Sequence, residues 1–250
     1  MIMENKKMNA LELKNVFFSY KKTNFVINDL DLTVKEGEIH GLLGHNGAGK
    51  TTILRLISGL LEPSRGSVTF FENMTHKSHS IDFISYMPET IGIYEKLNSI
   101  QNLEFRGLAE GLSKREIKQR SRDLLKKLGL NGRKKELAGY LSHGLRKRLS
   151  LSCALVKNPR VLLLDEPTNG IDPASLKIII DLLKDLNKNG ATILISSHDL
   201  ATISRLCTAI SILQEGKIVY GHDMADVNLE YLENMYLEKT GAEMSEDGNE

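Results

Sequence analysis

The stretch GHNGAGKT, Gly44 to Thr51, has the spacing G-x-x-x-x-G-K-[ST], which suits the holding of phosphate groups. Gly44, Gly47 and Gly49 allow a tight turn in which successive backbone N–H groups, with the N-terminus of a following helix, point at a β-phosphate. Lys50 is placed to reach the β- and γ-phosphates, and the Thr51 hydroxyl to ligate Mg²⁺. His45, Asn46, Ala48 and Thr52 complete the candidate nucleotide-contacting set. The competing reading is a glycine-rich turn with an incidental lysine; the apolar run before the loop and the helical pattern after it weigh against that.

A second constellation lies at LLLDE, 162–166, where an apolar strand ends in two adjacent carboxylates. Alternation along a strand sends neighbouring side chains to opposite sides, so the pair can divide two tasks. Asp165 would support Mg²⁺, directly or through water, and Glu166 would polarise a water attacking the γ-phosphate. Taken alone, LLLDE also fits an ordinary charged strand-to-loop exit. The phosphate cradle gives the chemical reading its weight.

Both groups need rigid supports, and the hydrophobic pattern provides them. LELKNVFFSY (11–20) and VINDLDLTV (26–34) alternate in the manner of strands, IHGLL (39–43) is an apolar strand leading into the loop, and KTTILRLISGL (50–60) has helical spacing. A turn at EPSRG (62–66) precedes the strand SVTFF. Over about 90–157 the periodicity is helical, with many charges, and predicts a helical sub-domain. The α/β alternation then resumes with the strand RVLLLDE (160–166), the helix PASLKIIIDLLKDLNKNG (173–190) and the strand ATILISS (191–197). Such apolar strands belong to a mostly parallel sheet covered on both faces. AISILQEGKIVYG predicts a hairpin about Glu215-Gly216, and LEYLENMYLEKTG an amphipathic helix before a polar tail.

The 250 residues, 41% of them hydrophobic, are enough for one large globular domain, here with a sub-domain. Lys plus Arg number 33 and Asp plus Glu 32, a formal charge of +1 that gives no reason to expect a specific nucleic-acid partner. Cys153 and Cys207 stand far apart with no CxxC spacing, and read as buried apolar residues of a reducing compartment. The start MIMENKKMNALELK has no signal-peptide core, and nowhere do about eighteen apolar residues run together. A cytosolic chain is expected, with any membrane role resting on a partner chain.

Over roughly residues 10–222 the sequence resembles the nucleotide-binding subunits of ABC transporters. Six motifs stand in that family's order: Tyr20, GHNGAGKT, YMPE (86–89) at the Q-loop, LSHGL (141–145) at the signature motif, LLLDEPTNGID (162–172) as Walker B and D-loop, and His198 in SSHD. The resemblance implies an α/β fold, a P-loop NTPase (RecA-like) core with an N-terminal antiparallel β-subdomain and an inserted helical subdomain. Residues 10–222 would form the ATPase domain and 223–250 a C-terminal helix and tail. It also implies ATP and Mg²⁺ as ligands, and a head-to-tail dimer with a second copy or a homologous subunit. In that dimer Ser142, His143 and Gly144 face the partner's ATP, Asp172 lies near the seam, and an integral-membrane permease subunit is driven from the inner face of the membrane. Tyr20 would stack on adenine, Glu89 would contact nucleotide and metal, and His198 would hold the attacking water near the γ-phosphate. As isolated residues, Tyr20 also fits a strand aromatic and His198 a solvated helix-start histidine.

Two positions depart from the family pattern. Glu89 replaces glutamine, keeping an oxygen able to ligate Mg²⁺ while adding negative charge beside phosphates. Similar YLPE sequences occur in an exporter branch, and the following TIGIY would help form the groove for a coupling helix of the membrane subunit. His143 replaces glycine; it keeps its backbone N–H, and a helix start does not require a positive φ, so a modified working site is expected. The basic run Arg146-Lys147-Arg148, with Arg133, Lys134 and Lys135, reads first as a solvated helix face, and otherwise as a supporting field for ATP or a contact for anionic lipid. The function expected is ATP hydrolysis driving export of a drug, antimicrobial peptide or lipid. Rival readings are a soluble ATPase acting on ribosomes or DNA, and a regulatory subunit that hydrolyses poorly.

Overall fold

The structure is a computed structural model and describes residues 8–21, 24–71, 74–75, 82–90, 92–224 and 227–241. Strands β1 (Asn9–Phe18) and β2 (Ile27–Lys35) pair antiparallel. In β2, Leu30, Leu32 and Val34 are buried while Asp31, Thr33 and Lys35 are exposed, the period of two expected of a sheet with one covered face. β3 (Ile39–Leu43), buried at every position, leads through the glycine-rich loop to α1 (Lys50–Ile57). This helix ends before the residue 60 expected from its pattern, because Gly59 takes a φ of +77°. β4 (Arg65–Phe70) returns to β1, completing a three-stranded antiparallel sheet.

After β5 (Ile84–Met87) come α2 (Ser99–Ala109), α3 (Lys114–Lys127), two 3₁₀ turns and α4 (His143–Leu155). The α/β order then resumes as β6 (Val161–Asp165), α5 (Pro173–Lys188), β7 (Thr192–Ser197), α6 (Leu200–Leu206), β8 (Ala209–Gln214), β9 (Lys217–Asp223) and α7 (Leu229–Thr240). The second sheet has the order β5-β6-β7-β3-β8-β9, with only β9 antiparallel to its neighbour. Successive residues of its strands enter different cores. Leu162 and Leu164 pack with α4 and α5, whereas Val161 and Leu163 pack with α1 and the antiparallel sheet. That two-sided burial is why β6 reads as an unbroken apolar run. No helix among the described residues is long and apolar enough to cross a membrane, and the polar tail from residue 242 lies outside them.

The expectation of a solvated face at Arg146-Lys147-Arg148 is corrected. Lys147 is 2% exposed, Arg148 donates to the Leu128 carbonyl at 3.0 Å, and Arg146 pairs with Glu95 at 3.2 Å. The reason is packing: α4 is wedged against α2, α3, α5 and β5, so it has almost no free face. Arg133 and Lys135, in the segment before it, are exposed.

At the entry to β3 a buried polar group anchors the strand that carries the loop. His40 Nε2 lies 2.9 Å from Ser211 Oγ on β8, and the Lys35 backbone N–H donates to Glu38 at 3.0 Å. Burial alone would raise the Glu38 pKa; His40, the Lys35 N–H and the charges of both residues reverse this and hold it below the usual carboxylate value. The His40–Glu38 contact is long, 3.5 Å. With the folded pKa depressed, this stabilisation is complete above the unfolded value of about 4.3 and is lost as pH falls through the folded one. Glu38→Gln is expected to cost about 1 kcal/mol at pH 7 and to flatten the acid limb of the stability profile. Melting curves from neutral to acid pH check this; a parallel loss at every pH would refute the ionic contribution.

Candidate functional site

The loop between β3 and α1 is shaped for an anion. Gly49 has a φ of +112°, a conformation that favours glycine, and a Cβ there would stand 2.8 Å from Ile27 Cδ1 and displace it. Side chains cap the N-termini of α2 to α7 through Asn98, Ser113, Ser142, Asp172, Asp199 and Asn228. At α1 the cap is Gly49, with no side-chain bond and no acidic residue in the first turn. Its N–H groups and dipole are therefore open to a phosphate. His45 to Gly47 and Gly49 to Thr52 line a cavity of about 370 Å³, with Glu89 and Glu166 opposite. Lys50 is 6% exposed; its ammonium donates to the carbonyls of Gly44 at 2.6 Å and His45 at 3.3 Å and pairs with Glu166 Oε1 at 3.3 Å.

Asp165 ends β6 fully buried, its carboxylate accepting from Ser196 Oγ at 2.6 Å and from the Tyr86 hydroxyl at 3.2 Å. Burial, followed by the charge of Asp165, pushes the Tyr86 phenol well above its ordinary range and keeps it a donor. Glu166 is separated from Asp165 by more than strand alternation: it lies past the strand in left-handed backbone, φ +46°. Such a conformation costs about 1–3 kcal/mol in a non-glycine residue and persists only where the surroundings impose it. Here the Glu166 N–H donates to Ser196 O at 3.2 Å and Ser196 Oγ at 3.1 Å, while its carbonyl accepts from Lys147 at 3.0 Å. His198 Nδ1 lies 3.0 Å from Glu166 Oε1, the oxygen that also pairs with Lys50. Burial lowers the Lys147 pKa, a shift opposed by the carboxylates of Glu89, Asp165 and Glu166.

Of the remaining expected residues, Tyr20 adjoins the cavity through Thr52, and the signature residues stand outside it. Tyr20 is 55% exposed; its hydroxyl sits 3.2 Å from Thr52 Oγ1 and its ring meets Phe18 edge-on. Ser142 caps α4 through a long 3.4 Å bond from the Leu145 N–H, and exposed His143 has Nε2 3.4 Å from the Asn169 carbonyl. A Cβ on Gly144 would stand 2.5 Å from Ser175 Oγ and 2.6 Å from Asp172 Oδ2, so the start of α4 needs glycine at 144, whereas residue 143 is simply helical. Ser142, His143 and Gly144 do not line the chain's own cavity. Of the segment expected to receive a coupling helix, Ile91 lies outside the described residues. A larger cavity of about 1270 Å³, against α2 and α3, contains none of the candidate residues.

Among the described residues no three His, Cys, Asp or Glu side chains form a metal cluster. Thr51 and Glu89 line the cavity, whereas Asp165 is fully buried behind it; an ion such as Mg²⁺ takes few protein ligands and can reach a carboxylate of that kind through water. Sequence reasoning missed Tyr86, Ser196 and Lys147 as parts of the site. Strand pairing supplies two of them: Ser196 stands in register with Asp165 across β6 and β7, and Tyr86 lies on neighbouring β5.

A family model described as "ABC transporter" matches residues 27–169. The chain is 36% identical over 208 residues to the ABC transporter ATP-binding protein NatA of Bacillus subtilis (strain 168), covering 82% of this chain and 84% of that protein. It superposes on a solved ATP-binding subunit of an ABC transporter with a TM-score of 0.81 and 29% identity, covering 92% and 99% of the two chains. A dimeric ATP-binding cassette in a post-hydrolysis state, bound to ADP and Pi, matches with a TM-score of 0.78 at 26% identity, over 87% of this chain and 100% of that one. If the Tyr86 hydroxyl orients Asp165 for a metal, Tyr86→Phe should raise the Mg²⁺ concentration for half-maximal ATPase activity roughly tenfold. An unchanged Mg²⁺ titration would remove Tyr86 from that role.

Proposed function

Because this chain belongs to the ABC transporter family of ATP-binding subunits, we propose that its own Gly44–Thr52 loop binds ATP as half of a head-to-tail pair whose hydrolysis drives export through a separate membrane subunit. ATP hydrolysis coupled to transport is the family's activity. The observation that carries the residue-level reading is the convergence of Lys50 and His198 on one oxygen of Glu166. Lys50 exchanges the carbonyls of Gly44 and His45 for the β- and γ-phosphates, which offer it charge as well as acceptors. That exchange releases Glu166 Oε1 to accept a proton from water, and His198, able to donate from one ring nitrogen and accept at the other, holds that water in place. Thr51, Asp165 and Glu89 would hold Mg²⁺, which neutralises charge on the phosphate oxygens when bound. Tyr20, beside Thr52, is placed to flank the adenine side of the loop.

The dimer reading is supported by the separation of Ser142, His143 and Gly144 from this chain's own cavity and by the dimeric structure of a related cassette. Export is favoured by YMPE at 86–89, which is similar to the YLPE of an exporter branch. A membrane subunit supplied by another chain places this one on the inner face of the membrane as a peripheral protein. The contacts among Lys50, Glu166 and His198 favour a hydrolysing subunit over a purely regulatory one, and the formal charge of +1 gives no support to a nucleic-acid target.

Glu166→Gln should lower turnover at least about 100-fold and accumulate ATP-bound dimers, measured by sedimentation, while Lys50→Ala should weaken nucleotide binding at least about tenfold. An unaltered ATPase rate in Glu166→Gln would sink the general-base assignment. His143→Gly should preserve or raise hydrolysis in the same assay; complete loss would show that the imidazole itself is required.

A further inference from the structure

Lys147 lies five positions beyond Ser142, on the same helix, about 7.5 Å further along its axis. It is 2% exposed, and its ammonium donates to two main-chain carbonyls, that of Glu89 at 2.8 Å and that of Glu166 at 3.0 Å. These carbonyls belong to segments on different strands: Glu89 follows β5, and Glu166 follows β6. Both residues line the cavity beside the glycine-rich loop. One buried cation on α4 therefore joins two walls of the site to the helix whose first turn stands outside it.

The contact to Glu166 matters because that residue is held in left-handed backbone. Its N–H is fixed from β7 by Ser196, and its carbonyl is fixed from α4 by Lys147. Losing either anchor frees the peptide to rotate, and rotation moves the carboxylate relative to Lys50 and His198. A lysine suits this place, because its tetrahedral ammonium can serve two carbonyls at once.

We propose that Lys147 is a positioning residue: it locks the Glu166 main chain for water activation and ties it to the Glu89 segment, so that movement of α4 at Ser142 is transmitted to this chain's own hydrolysis site. The proposal rests on the assignment of Glu166 as general base and of Ser142 as a contact to the partner's ATP. A rigid helix conveys the displacement of its first turn to Lys147 with little loss, and two hydrogen bonds convey it onward to the loops. The two ATP sites of a dimer are then coupled through a path confined to one subunit, from Ser142 along α4 to Glu166.

The test compares Lys147→Met, close in volume but without donors, with Lys147→Arg, which keeps them, in the purified full-length chain. Steady-state ATPase activity is measured against ATP concentration, and equilibrium nucleotide binding separately. Lys147→Met should keep nucleotide affinity within about threefold, since the cradle is untouched, yet lose roughly 10- to 100-fold in kcat. Its Hill coefficient for ATP should fall toward about 1. Lys147→Arg should recover a large part of both. In a Glu166→Gln background, Lys147→Met should still form ATP-stabilised dimers, which shows that the partner contact survives while its transmission is lost. Wild-type kcat and cooperativity in folded Lys147→Met would overturn the proposal, as would a loss of nucleotide binding parallel to the loss of kcat. If Lys147→Met folds poorly, Lys147→Leu, likewise without donors, replaces it under the same criteria. Failure of Glu166→Gln alone to accumulate dimers would instead strike the underlying assignment, and is read independently of Lys147.

Discussion

The structure turns on the residue that follows β6. Glu166 sits in left-handed backbone with its N–H held by Ser196, its carbonyl held by Lys147, and one carboxylate oxygen shared by Lys50 and His198. Four other segments thus meet at one residue: the start of α1, α4, the end of β7 and the turn after it. None of these contacts alone offsets the local backbone cost with much to spare. Together they over-determine the position, the condition under which a strained functional residue persists. The parallel sheet makes this possible, since β3, β6 and β7 are neighbours and all deliver their C-terminal ends to the same edge.

Electrostatics divide the helix ends by task. Six helices close their N-termini with a side chain, and α1 leaves its own open over a cavity beside a buried ammonium. In the absence of an anion that ammonium is satisfied by carbonyls of the loop itself and by Glu166. One of the groups that satisfy Lys50 is thus the Glu166 carboxylate itself, so a shift of the ammonium toward an anion would alter the surroundings of that carboxylate. Asp165 is held differently, by Ser196 and Tyr86 on the two flanking strands, and so keeps its place independently of Lys50.

α4 shows how far local sequence can mislead about a charge. Arg146, Lys147 and Arg148 look like a solvated face because consecutive basic residues are usually found in water. A helix packed on several sides has little such face to offer: Lys147 and Arg148 bond to main-chain carbonyls inside the fold, and only Arg146 pairs at the surface, with Glu95. Lys147 is the extreme case, its charge buried where Glu89, Asp165 and Glu166 oppose the cost of burial.

The sequence by itself determined the architecture and the glycine-rich loop. Period-two burial in β2, unbroken apolar runs in β3, β6 and β7, and the spacing of Gly44, Gly47, Gly49 and Lys50 are local quantities, and local quantities are written along the chain. Asp165 and Glu166 were legible for the same reason, as were the hairpin at Glu215-Gly216 and the helix of α7. What only the tertiary structure decided were contacts between segments far apart in sequence: Ser196 and Tyr86 on Asp165, His198 on Glu166, Lys147 across both walls, and the early end of α1. The physical reason is that a side chain's partner in a parallel sheet is set by strand order and register. Those depend on the packing of the whole chain and leave no periodic trace in any one part of it.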